Sequence, residues 1–428
     1  MTARALALLA LLALVAAGCG GEDSPWATTT TGAAVTTTTT APATTTTAGT
    51  TTTAAPTTVR VAADGSGDAP DLAAAVALVA PGGTVLLEAG EHRLAAPLAI
   101  DKPVTIRGAG SDQTTVLADQ PPVLLTFAGP GQLVLEGVAF RYQGTEPADG
   151  LVIEGGAIAF TDVEVSGVVR GPDATAESPD AEAGGNGFLI RGDATGTLDR
   201  CTATDNQLQG FAFGGSSRVT VTSSTAAGNA QDGFLWELDS VGTAEGSTAR
   251  DNGLHGFGTQ GRASTTLTAN TATGNGQAGF VWQERASGRA EGNTAEDNGM
   301  HGFGTEDEAT TTLLDNIARG NAQCGFIWAQ TATGTGRRNL SEDNGLSGFW
   351  VAGQAAPTLV NNTARSNQHP EGYGSGLAFA GTAGGEARRN EVYDNDWGIA
   401  IGPNAAPELA NNEVHDNTLD VYEDAPIS

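Results

Sequence analysis

Cysteine is almost missing from this chain: Cys19, Cys201 and Cys324 are the only three in 428 residues. Three thiols cannot build the disulfide framework of a small secreted scaffold, so stability has to come from packing. Basic residues are also scarce, 20 against 49 acidic, for a formal charge of −29. That balance excludes nucleic acid and anionic membrane surfaces as partners. An acidic polysaccharide would need bridging Ca²⁺ or a local basic patch. No nonapeptide Ca²⁺-binding repeat is present, so no cofactor is expected beyond an incidental Ca²⁺ site, and no metal-ligand set stands out. Long apolar runs are lacking too. The unbroken one, residues 5–17, is too short to span a bilayer comfortably.

What the chain has is a repeat. Gly187-Phe188 returns as Gly-Phe every 23 residues through Gly348-Phe349, eight copies without slippage. A fixed period in this range marks a stacked architecture. An asparagine column keeps the same step from Asn206 and Asn229 to Asn344 and Asn367. A second column runs Cys201, Ser224, Ser247 and then Asn270 to Asn362. Asparagines stacked at strand spacing can hydrogen-bond up and down the stack. Between the columns lie segments such as Thr271-Ala272-Thr273, too short for helices and punctuated by Gly and Asn. The pattern predicts an all-β parallel β-helix, a solenoid of single coils. Cys201 and Cys324 then stand about five coils apart, roughly 20 Å or more and beyond disulfide reach.

Taken in order, residues 1–19 are a targeting segment, with Arg4 ahead of an apolar core of signal-peptide length. Its end, Val15-Ala16-Ala17-Gly18-Cys19, resembles a bacterial lipobox. The resemblance implies lipidation at Cys19 and a membrane-anchored lipoprotein at the bacterial cell surface, held through its N-terminal lipid only. Ala16 departs from the commoner Leu or Val, which leaves plain cleavage open. Residues 20–58 are Thr-rich with no apolar periodicity and read as a disordered tether, with or without glycosylation. Residues 59–120 open the folded part: a strand at 59–61, a helix at 71–80 with Pro70 and Asp68 at its start, and strands at 84–87 and 104–106. The order Gly65-Ser66-Gly67-Asp68, short helix, Pro81-Gly82-Gly83-Thr84, then Lys102-Pro103-Val104 resembles the opening of pectin-lyase-like right-handed parallel β-helix proteins. In that family the helix caps the open end of the stack. Coils continue through 121–428, with insertions near 167–186 and 368–373 that map to surface loops.

The regular coils have a true period of two: residues 251–259 return almost unchanged at 297–305. If the Phe column faces inward, the next inward column reads Phe213, Trp236, Thr259, Trp282, Thr305, Trp328, Val351. Large alternates with small, so the tryptophans are read as core rather than as a sugar platform. The outward column between them is Leu235, Gly258, Val281, Gly304, Ile327, Trp350, a dry stripe with dips and the candidate binding surface. Just before each Gly-Phe stand Asp232, His255 and His301, the candidate catalytic residues. Asp232 and His255 lie on adjacent coils, where a carboxylate would favour the charged imidazole and supply a general base. A turn histidine bonded to solvent or backbone is the reading the position favours. His255 and His301, two coils apart, cannot share a metal ion directly.

The family's enzyme motifs are missing. The Asn-Thr-Asp, Asp-Asp and Gly-His-Gly set of polygalacturonases is absent, and Leu254-His255-Gly256 does not replace it. Arg170-Gly171-Pro172 fails the Arg-x-Pro-x-x-Arg spacing of pectate lyases. Two functions remain. One is a non-catalytic surface protein binding a polysaccharide or a protein partner, another copy in an oligomer included. The other is a divergent polysaccharide lyase, epimerase or glycoside hydrolase.

Overall fold

The computed structural model describes residues 54–171 and 184–427. Cys19, the signal segment, nearly all of the tether and most of the 167–186 insertion lie outside the described residues. The strands of the described part fall into two parallel sheets, one of 27 strands and one of 14. A single coil shows the plan. Val241–Glu245 and Thr248–Arg250 join the larger sheet, and Phe257–Thr259 joins the smaller. The next coil pairs one repeat on, Phe257 against Phe280 and Thr248 against Thr271. The chain is therefore a parallel β-solenoid, as the period predicts.

Two kinds of residue turn the chain between strands. Asp251, Gly274, Asp297 and Gly320 hold the same turn position on successive coils, with φ of 55°, 64°, 55° and 64°. Asp and Gly are among the few residues that adopt this left-handed region readily. They alternate for a local reason: a Cβ on Gly274 would lie 2.8 Å from Asp251 Oδ1. Next in sequence come the asparagines. Asn275 donates from Nδ2 and backbone N to Asn298 Oδ1, at 2.9 and 3.1 Å. Asn298 in turn donates to Ala272 O and Asn321 Oδ1. Each rung thus satisfies a buried side chain and a turn backbone together, which removes the desolvation cost of both. At the last coil Asp420 Oδ1 takes the place of the next rung, accepting from Asn417 Nδ2 at 3.1 Å.

The core explains the two-coil period. The Phe rings of successive coils stack with centroids 4.7–4.9 Å apart from Phe211 to Phe349, all fully buried. Trp236, Trp282 and Trp328 are also fully buried, so they are core as expected. Across the interior they face glycine. A Cβ on Gly242 would lie 1.9 Å from Trp236 Nε1, and one on Gly288 would lie 2.0 Å from Trp282 Nε1. On the intervening coils Thr259 meets Thr265 at 3.1 Å and Thr305 meets Thr311 at 2.8 Å. Tryptophan–glycine layers therefore alternate with threonine–threonine layers.

The ends differ. The helix Leu72–Leu78 is shorter than the expected 71–80, and its N-cap is Asp71, which accepts from Ala74 N at 2.8 Å. Asp68, expected at the helix start, accepts instead from Arg60 N. The helix buries Leu72, Ala75 and Val76 against the first strands. Among the described residues no helix is long and apolar enough to cross a membrane. At the other end Leu409, Leu419 and Val421 are exposed on the final coil. The 368–373 insertion is pinned down: Asp396 accepts from His369 N and Gly374 N, and the His369 and Tyr373 rings stack at 3.9 Å.

Candidate functional site

The smaller sheet carries the candidate residues. Phe and Trp of each strand point inward, so the middle residue faces out. Register puts Leu235, Gly258, Val281, Gly304, Ile327 and Trp350 in one outer line. Two polar rows flank it. Ahead of the strand stand Asp232, His255 and His301. Behind it stand Glu237, Gln260, Gln283 and Glu306, one per coil. Sequence reasoning missed the second row, although its step of 23 residues three places after the Phe column was there to read.

Both rows lean over the glycines. A Cβ on Gly258 would lie 3.9 Å from Asp232 Oδ1, and one on Gly304 would lie 3.2 Å from Glu306 Oε1. The apolar neighbours lean in as well, with Leu235 Cδ1 3.2 Å from the Gly258 position and Val281 Cγ2 3.2 Å from the Gly304 position. The expected stripe is consequently not an open one: Leu235, Val281, Ile327 and Trp350 are 5%, 1%, 3% and 5% exposed. The glycines are floors over which carboxyl groups sit.

The front row bonds to the backbone. Asp232 Oδ1 accepts from His255 N at 3.0 Å, His255 Nδ1 from Ala278 N at 3.2 Å, and His301 Nδ1 from Cys324 N at 3.4 Å. An acceptor at Nδ1 places the proton of each neutral imidazole on Nε2. The structure thus has the backbone-bonded turn histidine and not a charged histidine beside a carboxylate. Asp232 meets the backbone of His255, and burial pushes both imidazoles down to about 4. Burial pushes Asp232 and Glu237 the other way, each to about 7, with Asp232 adding to the rise at Glu237. Glu306 is also raised, by burial first, against a hydrogen bond from Gln283 Nε2 at 3.0 Å. Gln260 Nε2 donates to Gln283 Oε1 at 3.1 Å, so the rear row is a short ladder of its own. The face therefore offers polar donors and acceptors whose charged forms burial disfavours, on every coil from Glu237 to Glu306 behind the strand and on the coils of Asp232, His255 and His301 in front of it. Among the described residues no group of three or more His, Cys, Asp or Glu is placed to hold a metal ion. Cys201 and Cys324 are free and buried, with thiols pushed up to about 12.

The family model described as right handed beta helix region matches residues 145–287, 186–336 and 327–423. No curated protein matches the chain. Among solved structures, the catalytic unit of a GH87 α-1,3-glucanase from Streptomyces thermodiastaticus is similar at 14% identity, TM-score 0.54, over 80% of this chain and 65% of that one. A mutant of the periplasmic alginate epimerase AlgG is similar at 13% identity, TM-score 0.52, over 78% and 79%. The Dettilon tailspike protein is similar at 15% identity, TM-score 0.46, over 77% of this chain, which spans 62% of that one. At these identities the likeness shows the fold alone.

Proposed function

The chain belongs to the right-handed beta-helix family, and from that premise we propose that the outer face of its smaller sheet binds a polysaccharide. The observation that carries this reading is the pair of polar rows, Glu237, Gln260, Gln283 and Glu306 behind at one-coil spacing and Asp232, His255 and His301 in front, where Ala278 interrupts the row between the histidines. A linear glycan presents hydroxyl groups at a regular step, and two coils span roughly 10 Å, about a disaccharide. Neutral imidazoles, amides and carboxyls whose charge burial disfavours suit uncharged hydroxyls. The net charge of −29 disfavours a polyanion. The similar epimerase and glucanase act on alginate and α-1,3-glucan by their names, which agrees with a carbohydrate partner.

The reading is of a non-catalytic, surface-anchored binding protein held through lipid on Cys19. Cys19→Ser is expected to release it into the medium; unchanged membrane association of that variant contradicts the anchor. Gly258→Trp with Gly304→Trp fills the floors from outside, where the nearest neighbours are side chains rather than backbone. These changes should abolish retention in affinity electrophoresis while leaving the β-type circular dichroism intact. Absence of glycan binding by the wild type, with an oligomer broken by the same substitutions, makes the face an assembly interface instead.

One observation favours a second reading. Asp232 and Glu237 flank one strand, Phe234–Trp236, and both are pushed up to about 7. Two carboxyls poised near neutrality suit general acid–base work in a hydrolase. Release of reducing ends from a retained glycan, lost in Asp232→Asn and Glu237→Gln, would establish it.

A further inference from the structure

The outer face of the smaller sheet continues past the polar rows. Beyond Trp350 its outer line runs through Ala378 and Ala400 to Tyr422, and the front row runs through Ser347 and Ser375 to Trp397. Trp397 is half-buried, the one tryptophan among the described residues that is not buried. A large aromatic side chain kept partly in solvent is informative in a way that a buried one is not. Its surroundings are aromatic as well. The Tyr422 ring, also half-buried, meets it at 4.8 Å and 89°, and the Tyr373 ring lies 6.4 Å away at 48°. Tyr373 is 8% exposed, with the His369 ring stacked on it at 3.9 Å. These last two rings come from the insertion. The coil from Asn367 to Asn395 takes 28 residues, where the coil before it takes 23. The extra residues do not loop away. Asp396, next to Trp397, accepts from His369 N and Gly374 N and ties the insertion to the coil of Trp397. Insertions in solenoids are where binding loops sit.

We propose that Trp397 and Tyr422, braced by Tyr373 and His369, form an aromatic platform on which one pyranose ring of an uncharged polysaccharide stacks through its C–H face. A pyranose with equatorial hydroxyls carries axial C–H groups on its faces, an apolar surface of slight positive charge. An aromatic face is apolar and slightly negative, so the two are complementary. The hydroxyl edge of the sugar stays in water, and no buried atom has to be reached. The bracing rings hold the platform in place before binding, which lowers the ordering cost. The charged groups that act on the bracing rings are acidic, Glu371 and Asp396 on His369 and Glu371 on Tyr373. A uronate would be repelled. From Trp397 to His301 is four coils along the front row, roughly 19 Å, so a chain seated on the platform can run on toward the polar rows.

This inference rests on the polysaccharide reading, and the test separates the two. Laminarin and mixed-linkage β-glucan serve as neutral probes, with alginate and polygalacturonate as anionic ones, in affinity electrophoresis of the full chain. The platform predicts retention on at least one neutral probe, weakened about tenfold, or about 1.4 kcal/mol, by Trp397→Ala. Trp397→Tyr, which keeps a ring, should recover most of it. Thr266→Ala, on the exposed side of the larger-sheet strand Ser264–Thr268, should bind as wild type. Thermal midpoints matched to wild type are required of every variant. If Trp397→Ala does not fold, oxidation of the wild type by N-bromosuccinimide decides, read by mass spectrometry of the tryptophan peptides. Trp397 should oxidise while the buried Trp236, Trp282 and Trp328 do not, and a retained neutral glycan should protect it. Neutral retention unchanged in Trp397→Ala, or oxidation of Trp397 unchanged by the glycan, overturns the platform and leaves the polysaccharide reading standing. Retention on anionic probes alone overturns the charge preference and with it the platform. No retention on any probe overturns both.

Discussion

Asn298 shows how much one side chain does in a stacked coil. It accepts two hydrogen bonds from Asn275 and donates to Ala272 O and Asn321 Oδ1, all in the buried turn. Asn298→Ala leaves buried partners above and below unpaired, at about 1–3 kcal/mol each. Denaturant unfolding should show a loss of several kcal/mol, and a loss under about 1 kcal/mol would mean that the ladder relaxes onto water. The asparagine columns were legible in the sequence because the ladder forbids most substitutions, so the period survives there unbroken. The roles of His255 and His301 were not. Sequence adjacency places Asp232 beside His255, but only coordinates reveal that the contact runs through the backbone N–H.

At the scale of the strand, the two-coil period is a packing rule. Trp236 and Trp282 lie against Gly242 and Gly288, where no Cβ fits. Gly288→Ala should cost about 1–3 kcal/mol by overpacking, and Trp282→Ala about 3–5 kcal/mol by the cavity it leaves. Native tryptophan emission should be blue-shifted. If Gly288→Ala is neutral, the indole can swing clear and the layer alternation is not enforced. The inward tryptophan column was readable from its large–small alternation. Its glycine partners stand six residues on at a regular step, Gly242 after Trp236 and Gly288 after Trp282, but they belong to the opposite sheet and only coordinates show that they meet the indoles. The repeat seen on the outer face, Gly258 to Gly304, accompanies this core rule, so the disaccharide register needs the polar rows as its separate support. The rear row escaped notice because Glu237 and Gln260 stand just past the ends of their strands, where polar residues are ordinary.

Across the whole molecule, the face couples stability to pH through opposed groups. Asp232 and Glu237 have native values near 7, above their ordinary 3.8 and 4.5. Their stabilising contribution is complete at low pH and disappears as pH rises through about 7. His255 and His301 are depressed from 6.5 to about 4, so their contribution is complete above 6.5 and disappears as pH falls through about 4. Between about pH 4.5 and 6.5 the two pairs oppose each other and nearly cancel. Asp232→Asn with Glu237→Gln removes one side. Its stability should therefore fall more steeply than that of the wild type as pH drops from 6.5 to 4, by thermal or urea unfolding. Parallel curves would mean that these carboxyls titrate at ordinary values and that the face is wet.

The most direct test of the account is hydrogen–deuterium exchange of the chain with and without a retained neutral glycan. Binding at the outer face of the smaller sheet predicts added protection in the segments around Asp232–Glu237, His255–Gln260 and His301–Glu306. The five-residue strands of the larger sheet, such as Ser264–Thr268, should exchange unchanged. Protection confined to the larger sheet or to the exposed final coil, with none around His301, would contradict it.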